Sequence, residues 1–191
     1  MAILGLLVGA PLHPYGMQRL IKGWGKERVV NVGQRANLYK VIRRLHDAGL
    51  IVVQQTERDQ QYPERTLYAL TEEGRRTVLE WLADMVATPR NEFPQFPAAL
   101  SFLMLLGPQE ALVVLEKRAE ALRQSLATLE GELETYAGTL PRVTLLDDEY
   151  QRAITAAELT WVSGVTDDLR AGTLSWSDEE LASMAAASWP Q

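Results

Sequence analysis

The apolar residues of this chain change their spacing along its length, and each change marks an element. Residues 1–8 are apolar almost all round (Ile3, Leu4, Leu6, Leu7, Val8), which predicts a short buried helix. It ends before Ala10-Pro11, because a residue preceding proline is pushed out of the α region. Pro14 opens a second helix over 15–21, with Met17, Leu20 and Ile21 inward and Gln18, Arg19 and Lys22 outward, and Gly23-Trp24-Gly25 breaks it. In a third helix Leu38, Val41, Ile42 and Leu45 recur at 3.6 residues, the spacing of one buried face. Asn31 and Gln34 have capping-box spacing, so this helix starts there or nearer Arg35. Gly49 closes it, and Leu50-Ile51-Val52-Val53 and Leu67-Tyr68-Ala69-Leu70 read as two strands around a charged tip. Thr71 caps a fourth helix, with Glu72 and Glu73 in its first turn. That helix runs to about Val86, and Val78, Leu79, Leu82 and Met85, with Trp81 beside them, are expected in the core.

Residues 88–97 carry three prolines and read as a linker, followed by a short apolar helix over 98–106 that Gly107-Pro108 stops. From Leu112 apolar residues then alternate in steps of three and four through Leu115, Ala119, Leu122, Leu126, Leu129, Leu133, Tyr136 and Leu140. Sustained over about four heptads, that is a coiled-coil-like pattern. A helix of about 30 residues reaches about 45 Å, more than a small domain needs for itself. Leu115, Leu122, Leu126, Leu129, Leu133 and Tyr136 are therefore candidate dimerisation residues. A further helix opens at Leu146 with acids in its first turn and carries the stripe Tyr150, Ile154, Ala157, Trp161, Val165 and Leu169 to near Gly172. Antiparallel packing on the long helix would bury both stripes. A last helix over 178–187 can be capped by Ser175 or Ser177. The predicted fold is mostly α with a small β-hairpin wing. It comprises an N-terminal winged helix-turn-helix domain (1–87), a linker (88–97) and a C-terminal helical, coiled-coil-like dimerisation domain (98–191).

Charge divides along the same line. The whole chain has a formal charge of −6, but residues 1–80 hold 12 Lys/Arg against 8 Asp/Glu, whereas 81–191 hold 7 against 17. A front of +4 and a back of −10 imply that only the front approaches a polyanion. With no cysteine, disulfides and thiolate metal sites are excluded, and the two histidines, His13 and His46, lie too far apart to form a ligand pair. The apolar start lacks a basic leader and is far short of the ~20 residues that span a bilayer, so no membrane is implied and a cytoplasmic protein is expected.

On the third helix the side opposite the apolar stripe collects Ala36, Asn37, Lys40, Arg43, Arg44 and Asp47, a small, polar and mostly basic surface. In a helix-turn-helix this element enters the major groove, led by its N-terminal half. Amides pair bidentately with adenine and guanidinium with guanine, so Gln34, Arg35 and Asn37 are candidate base readers; Lys40, Arg43 and Arg44 are placed as phosphate contacts. Tyr39 can pack its ring or offer its hydroxyl to a phosphate. At the hairpin tip Arg58 and Arg65 can follow the backbone toward a minor groove, against Asp59 and Glu64. The expected partner is a double-stranded DNA operator.

Several segments in this order carry a family likeness. Ile3-Leu4-Gly5-Leu6-Leu7, Pro11-Leu12-His13-Pro14-Tyr15-Gly16-Met17, Asn37-Leu38-Tyr39, Arg44-Leu45 and Ala48-Gly49-Leu50-Ile51 together resemble the PadR family of transcriptional regulators. Pro63 to Thr71 with Gly74 resembles that family's second wing strand and the helix after it. The resemblance covers residues 3 to about 85. It implies a homodimeric winged-helix protein, usually a repressor on an inverted-repeat operator, often released by a small molecule such as a phenolic acid or a drug. By position, 34–44 would be the recognition helix and 58–65 the wing, where Gln60-Gln61 departs from the glycine or basic residues often found. The back half offers Tyr150, Trp161 and Trp176 as candidates for binding a small aromatic effector. No enzyme is expected: there is no phosphate loop, dinucleotide glycine pattern or nucleophile elbow, and no cofactor or metal is implied. The alternative to a DNA-binding regulator is a winged-helix dimer that serves only as a protein-interaction module.

Overall fold

The computed structural model describes residues 1–26, 35–57 and 65–188, and divides the chain into two compact units, Met1–Asn91 and Glu92–Gln191. In the first unit α1 (Ala2–Leu7), α2 (Pro14–Gly23) and α3 (Arg35–Asp47) precede an antiparallel pair, β1 (Ile51–Glu57) and β2 (Arg65–Leu70), and α4 (Glu72–Ala87) follows. Each boundary has a local cause. Pro14 takes the first-turn position where no N–H is needed, and His13 Nδ1 accepts the Tyr15 N–H at 3.1 Å. α3 ends at left-handed Gly49, φ 69°. The Gly49 N–H donates to His46 O at 2.9 Å and the Leu50 N–H to Leu45 O at 3.0 Å, a Schellman pattern whose flanking Leu45 and Leu50 are buried.

Ile51 pairs with Leu70 and Val53 with Tyr68, then the ladder slips by one residue between Val53 and Gln55, which bends β1. Leu12 adds a short third rung, its N–H donating to Tyr68 O and its carbonyl accepting the Tyr68 N–H, both at 3.0 Å. Leu4, Leu7, Met17, Ile42, Ile51 and Val78 belong to one core shared by the helices and the root of the hairpin. Two expectations fail in this unit. Val41 is 41% exposed, whereas its neighbours in the apolar recurrence, Leu38 and Ile42, are 5% and 2% exposed. Of the apolar α4 residues expected in the core only Val78 is buried; Leu79, Trp81, Leu82 and Met85 are exposed. The physical reason is length, since a 16-residue helix extends about 24 Å and runs past the small core that its first turns cover.

In the second unit α5 (Gln95–Leu100) and a 3-10 turn, Leu103–Leu105, stand where one helix over 98–106 is expected. Pro108 does not merely stop that segment; it is the first residue of α6 (Pro108–Tyr136). A turn leads into α7 (Leu146–Ala171), closed by left-handed Gly172, and α8 (Asp178–Ser188) follows. Ser177 and Glu180 cap α8 reciprocally: Ser177 Oγ accepts the Glu180 N–H at 3.2 Å and Glu180 Oε2 accepts the Ser177 N–H at 2.8 Å. α6 and α7 form an antiparallel hairpin. Ala111, Leu115 and Ala119 interlock with Val162 and Leu169, and Arg170 donates from Nη2 to Glu116 Oε1 at 2.7 Å across the pair. At the other end Arg142 grips Glu149 with both Nε (2.9 Å) and Nη2 (2.8 Å). That hydrogen bond holds the Glu149 carboxyl below its ordinary range. The lowered value means the pair is intact at neutral pH and is lost only as acid titrates Glu149; being exposed, it adds little to stability.

The hairpin buries only the C-terminal end of the α7 stripe that periodicity selects, Leu169 with Val165 packed on the same core, and buries Val162 and Thr166 in place of the rest. Leu145, Val162, Thr166 and Leu169 are buried, whereas Tyr150, Ile154 and Trp161 are exposed. Two apolar stripes run along this helix, about one-third of a turn apart, and only one can meet α6. Among the described residues no helix is long and apolar enough to cross a membrane.

Candidate nucleic-acid interface

Among the described residues α3 presents its outer side to solvent. Asn37, Tyr39, Lys40, Arg43 and Arg44 are all exposed, while Leu38, Ile42 and Leu45 anchor the opposite side in the core. Among the described residues, none of Lys40, Arg43 and Arg44 is paired with a carboxylate. Three cations within five residues, none paired with a carboxylate among the described residues, raise the local positive potential, which favours a polyanion despite the acidic total. Asp47 lies exposed at the far end of the helix, 3.9 Å from His46 Nδ1.

The other expected DNA contacts are less completely placed. Arg35 is the first residue of α3 and Arg65 the first of β2, where it pairs with Glu57; their side chains lie outside the described residues. Gln34 and Arg58 lie outside the described residues altogether, as do the capping box at 31–34 and most of the wing tip. Sequence reasoning missed Val41, which it assigned to the core. The signal available was spacing: Asn37, Lys40, Val41 and Arg44 stand at i, i+3, i+4 and i+7, one continuous strip of an α-helix.

In the second unit the expected dimerisation leucines divide. Leu115 and Leu129 are each 2% exposed and Leu122 packs against the same core, so these side chains are used within their own unit. Leu126 and Leu133 are half-buried, and Tyr136 is exposed. An exposed apolar row runs along α7: Leu146, Tyr150, Ile154 and Trp161. Trp161 meets the edge of Phe96 with ring centroids 6.3 Å apart, and the Arg118 guanidinium lies 3.4 Å above the Phe96 ring while Nε donates to Glu158 at 2.6 Å. Trp176 differs from the other two aromatic candidates, because its indole N–H donates to Leu106 O at 3.0 Å and its ring packs into the core. It is a structural anchor. A cavity of about 750 Å³ at the hairpin end is lined by Leu133, Leu140, Leu145 and Ala153 beneath Glu130, Glu134 and Arg152, and none of the three aromatic candidates lines it.

Residues 3–80 match the transcriptional regulator PadR-like family. The negative transcriptional regulator PadR of Bacillus subtilis is 26% identical over 135 residues, covering 70% of this chain and 71% of that protein. The structure is similar to Bacillus subtilis PadR in complex with operator DNA (TM-score 0.70, 20% identity, 88% of this chain and 97% of that one). It is equally similar to the same protein in complex with p-coumaric acid (TM-score 0.71, 20% identity, 88% and 96%).

Proposed function

We propose, from the match of residues 3–80 to the PadR-like family of transcriptional regulators, that this chain is a cytoplasmic homodimeric repressor that binds an inverted-repeat operator through α3. The observation that carries this reading is the exposed basic side of α3, unpaired among the described residues, with Asn37 beside it. Lys40, Arg43 and Arg44 hold phosphates and fix the register; Gln34, Arg35 and Asn37 read bases, and Tyr39, Arg58 and Arg65 add backbone contacts. Selection of bound fragments from the source genome, followed by titration of the recovered duplex at two salt concentrations, tests it. Affinity that falls steeply between about 50 and 200 mM salt is the expected result. A protein-interaction module would recover no common sequence.

One recognition helix spans only a few base pairs, and two held about 34 Å apart add their contacts. We place the dimer contact on the first turns of the exposed α7 row, Leu146, Tyr150 and Ile154, with Trp161 outside it, rather than on Leu115 and Leu129, which are buried within the unit. The double variant Tyr150→Asp, Ile154→Asp is expected to sediment as a monomer with its helical content intact, since both residues are exposed, and to lose most operator affinity. A dimer unchanged by both substitutions would move the interface elsewhere.

The effector is proposed to be a small aromatic acid, the class that a relative's complex with p-coumaric acid makes the first to try. Trp161 offers a half-exposed ring edge-on to Phe96, a surface on which an aromatic ring can stack. Added p-coumaric acid is expected to release the operator from the native protein and not from Trp161→Ala, which retains DNA binding. Operator affinity indifferent to every aromatic acid tried would remove the effector from this reading.

A further inference from the structure

Val41 stands where the apolar recurrence of α3 would bury it, yet it is 41% exposed on the strip shared by Asn37, Lys40 and Arg44. Neither the core nor the helix accounts for it there. A β-branched residue in an exposed helix interior is a poorer helix former than alanine, and an outward side chain gains little packing in return. Its neighbours on the strip are an amide and two cations, the side chains that suit base edges and phosphates. The major groove displays one apolar group, the 5-methyl of thymine. We propose that Val41 is a specificity-determining residue that packs its methyl groups against the 5-methyl of an operator thymine, next to the base pair approached by Asn37. This rests on the reading of α3 as the DNA-recognition helix. Valine suits the task because its χ1 is already restricted in a helix, so little rotamer freedom is lost when the contact forms. The contact neutralises no phosphate, and it therefore adds discrimination without salt dependence.

The test replaces each operator thymine in turn by deoxyuridine, which removes only the methyl group, and titrates the native full-length protein and Val41→Ala against every duplex. At one thymine in each half-site the native protein is expected to lose about fourfold in affinity per methyl removed, the value of one methyl-sized group withdrawn from water. Val41→Ala is expected to show no loss at that position, to respond like the native protein at all others, and to keep the native salt slope. Its melting temperature should be unchanged or higher, because alanine is the better helix former and no cavity is left. Parallel profiles for the two proteins at every thymine, with tight and salt-dependent binding retained, would overturn the role of Val41 alone. Failure of the native protein to bind any selected duplex would overturn the DNA reading and this inference together.

Discussion

Replacing Arg43 and Arg44 together by glutamate is expected to lower affinity for every DNA sequence by at least about a hundredfold at low salt, while leaving the preferred operator unchanged. Both guanidiniums are exposed on the outer side of α3 and neither is paired with a carboxylate among the described residues. Each reversal removes one phosphate neutralisation and sets a like charge against the backbone, so the plot of log affinity against log salt should flatten by about one for each phosphate no longer neutralised. In a dimer both copies change, and the flattening approaches about four. Because neither side chain supports the core, the melting temperature should stay within a few degrees, which separates weakened DNA binding from a damaged fold. Fluorescence anisotropy of a labelled duplex at several salt concentrations reads both affinity and slope. Values that survive the double reversal would show that DNA meets another face.

Gly74→Ala is expected to destabilise the first unit by about 3 kcal/mol or more, the upper range for forcing an atom into a packed site. A Cβ on Gly74 would fall far inside van der Waals distance of the Leu50 carbonyl oxygen and 2.9 Å from both Leu50 C and Leu70 Cδ1. The first obstacle is backbone and cannot swing away. The approach is this close because Thr71 laces the start of α4 onto the corner between α3 and β1. Its N–H donates to Leu50 O at 3.2 Å, its hydroxyl lies 2.8 Å from Gly49 O and 3.0 Å from Leu50 O, and Oγ1 accepts the Gly74 N–H at 2.9 Å. For a unit of this size the loss corresponds to a fall of roughly 12–24 °C in Tm, measurable by calorimetry on the full chain. Gly131→Ala in α6 is the internal contrast: nothing lies within 4 Å of its added Cβ, and it should stabilise by up to about 1 kcal/mol. A mild effect at position 74 would mean that the corner yields more readily than its hydrogen bonds imply.

Much of what depends on a few consecutive residues was legible in the chain, although Pro108, read as a stop, is the first residue of α6. Pro14 at a helix start, Gly49 and Gly172 at helix ends, Thr71 as a cap and Ser177, one of two candidate caps of the last helix, all occur where local chemistry places them. So does the basic side of α3, because three helix positions anchored by Leu38, Ile42 and Leu45 determine what faces outward. Less legible were helices with more apolar residues than one stripe requires. α7 carries both Tyr150-Ile154-Trp161 and Val162-Thr166-Leu169, and both rows satisfy helical spacing.

By itself the sequence determined the order of elements, the winged-helix arrangement with a helical back half, and the side of α3 that carries charge. These follow from backbone propensity, capping and period, which act over a turn or two. Only the tertiary structure decided that Val41 faces outward, that Leu115 and Leu129 are consumed by their own hairpin, and that Gly74 must lack a side chain. Each of those depends on which surface a distant segment covers. An apolar residue is drawn to any apolar partner, and the hydrophobic effect has no direction with which to name one.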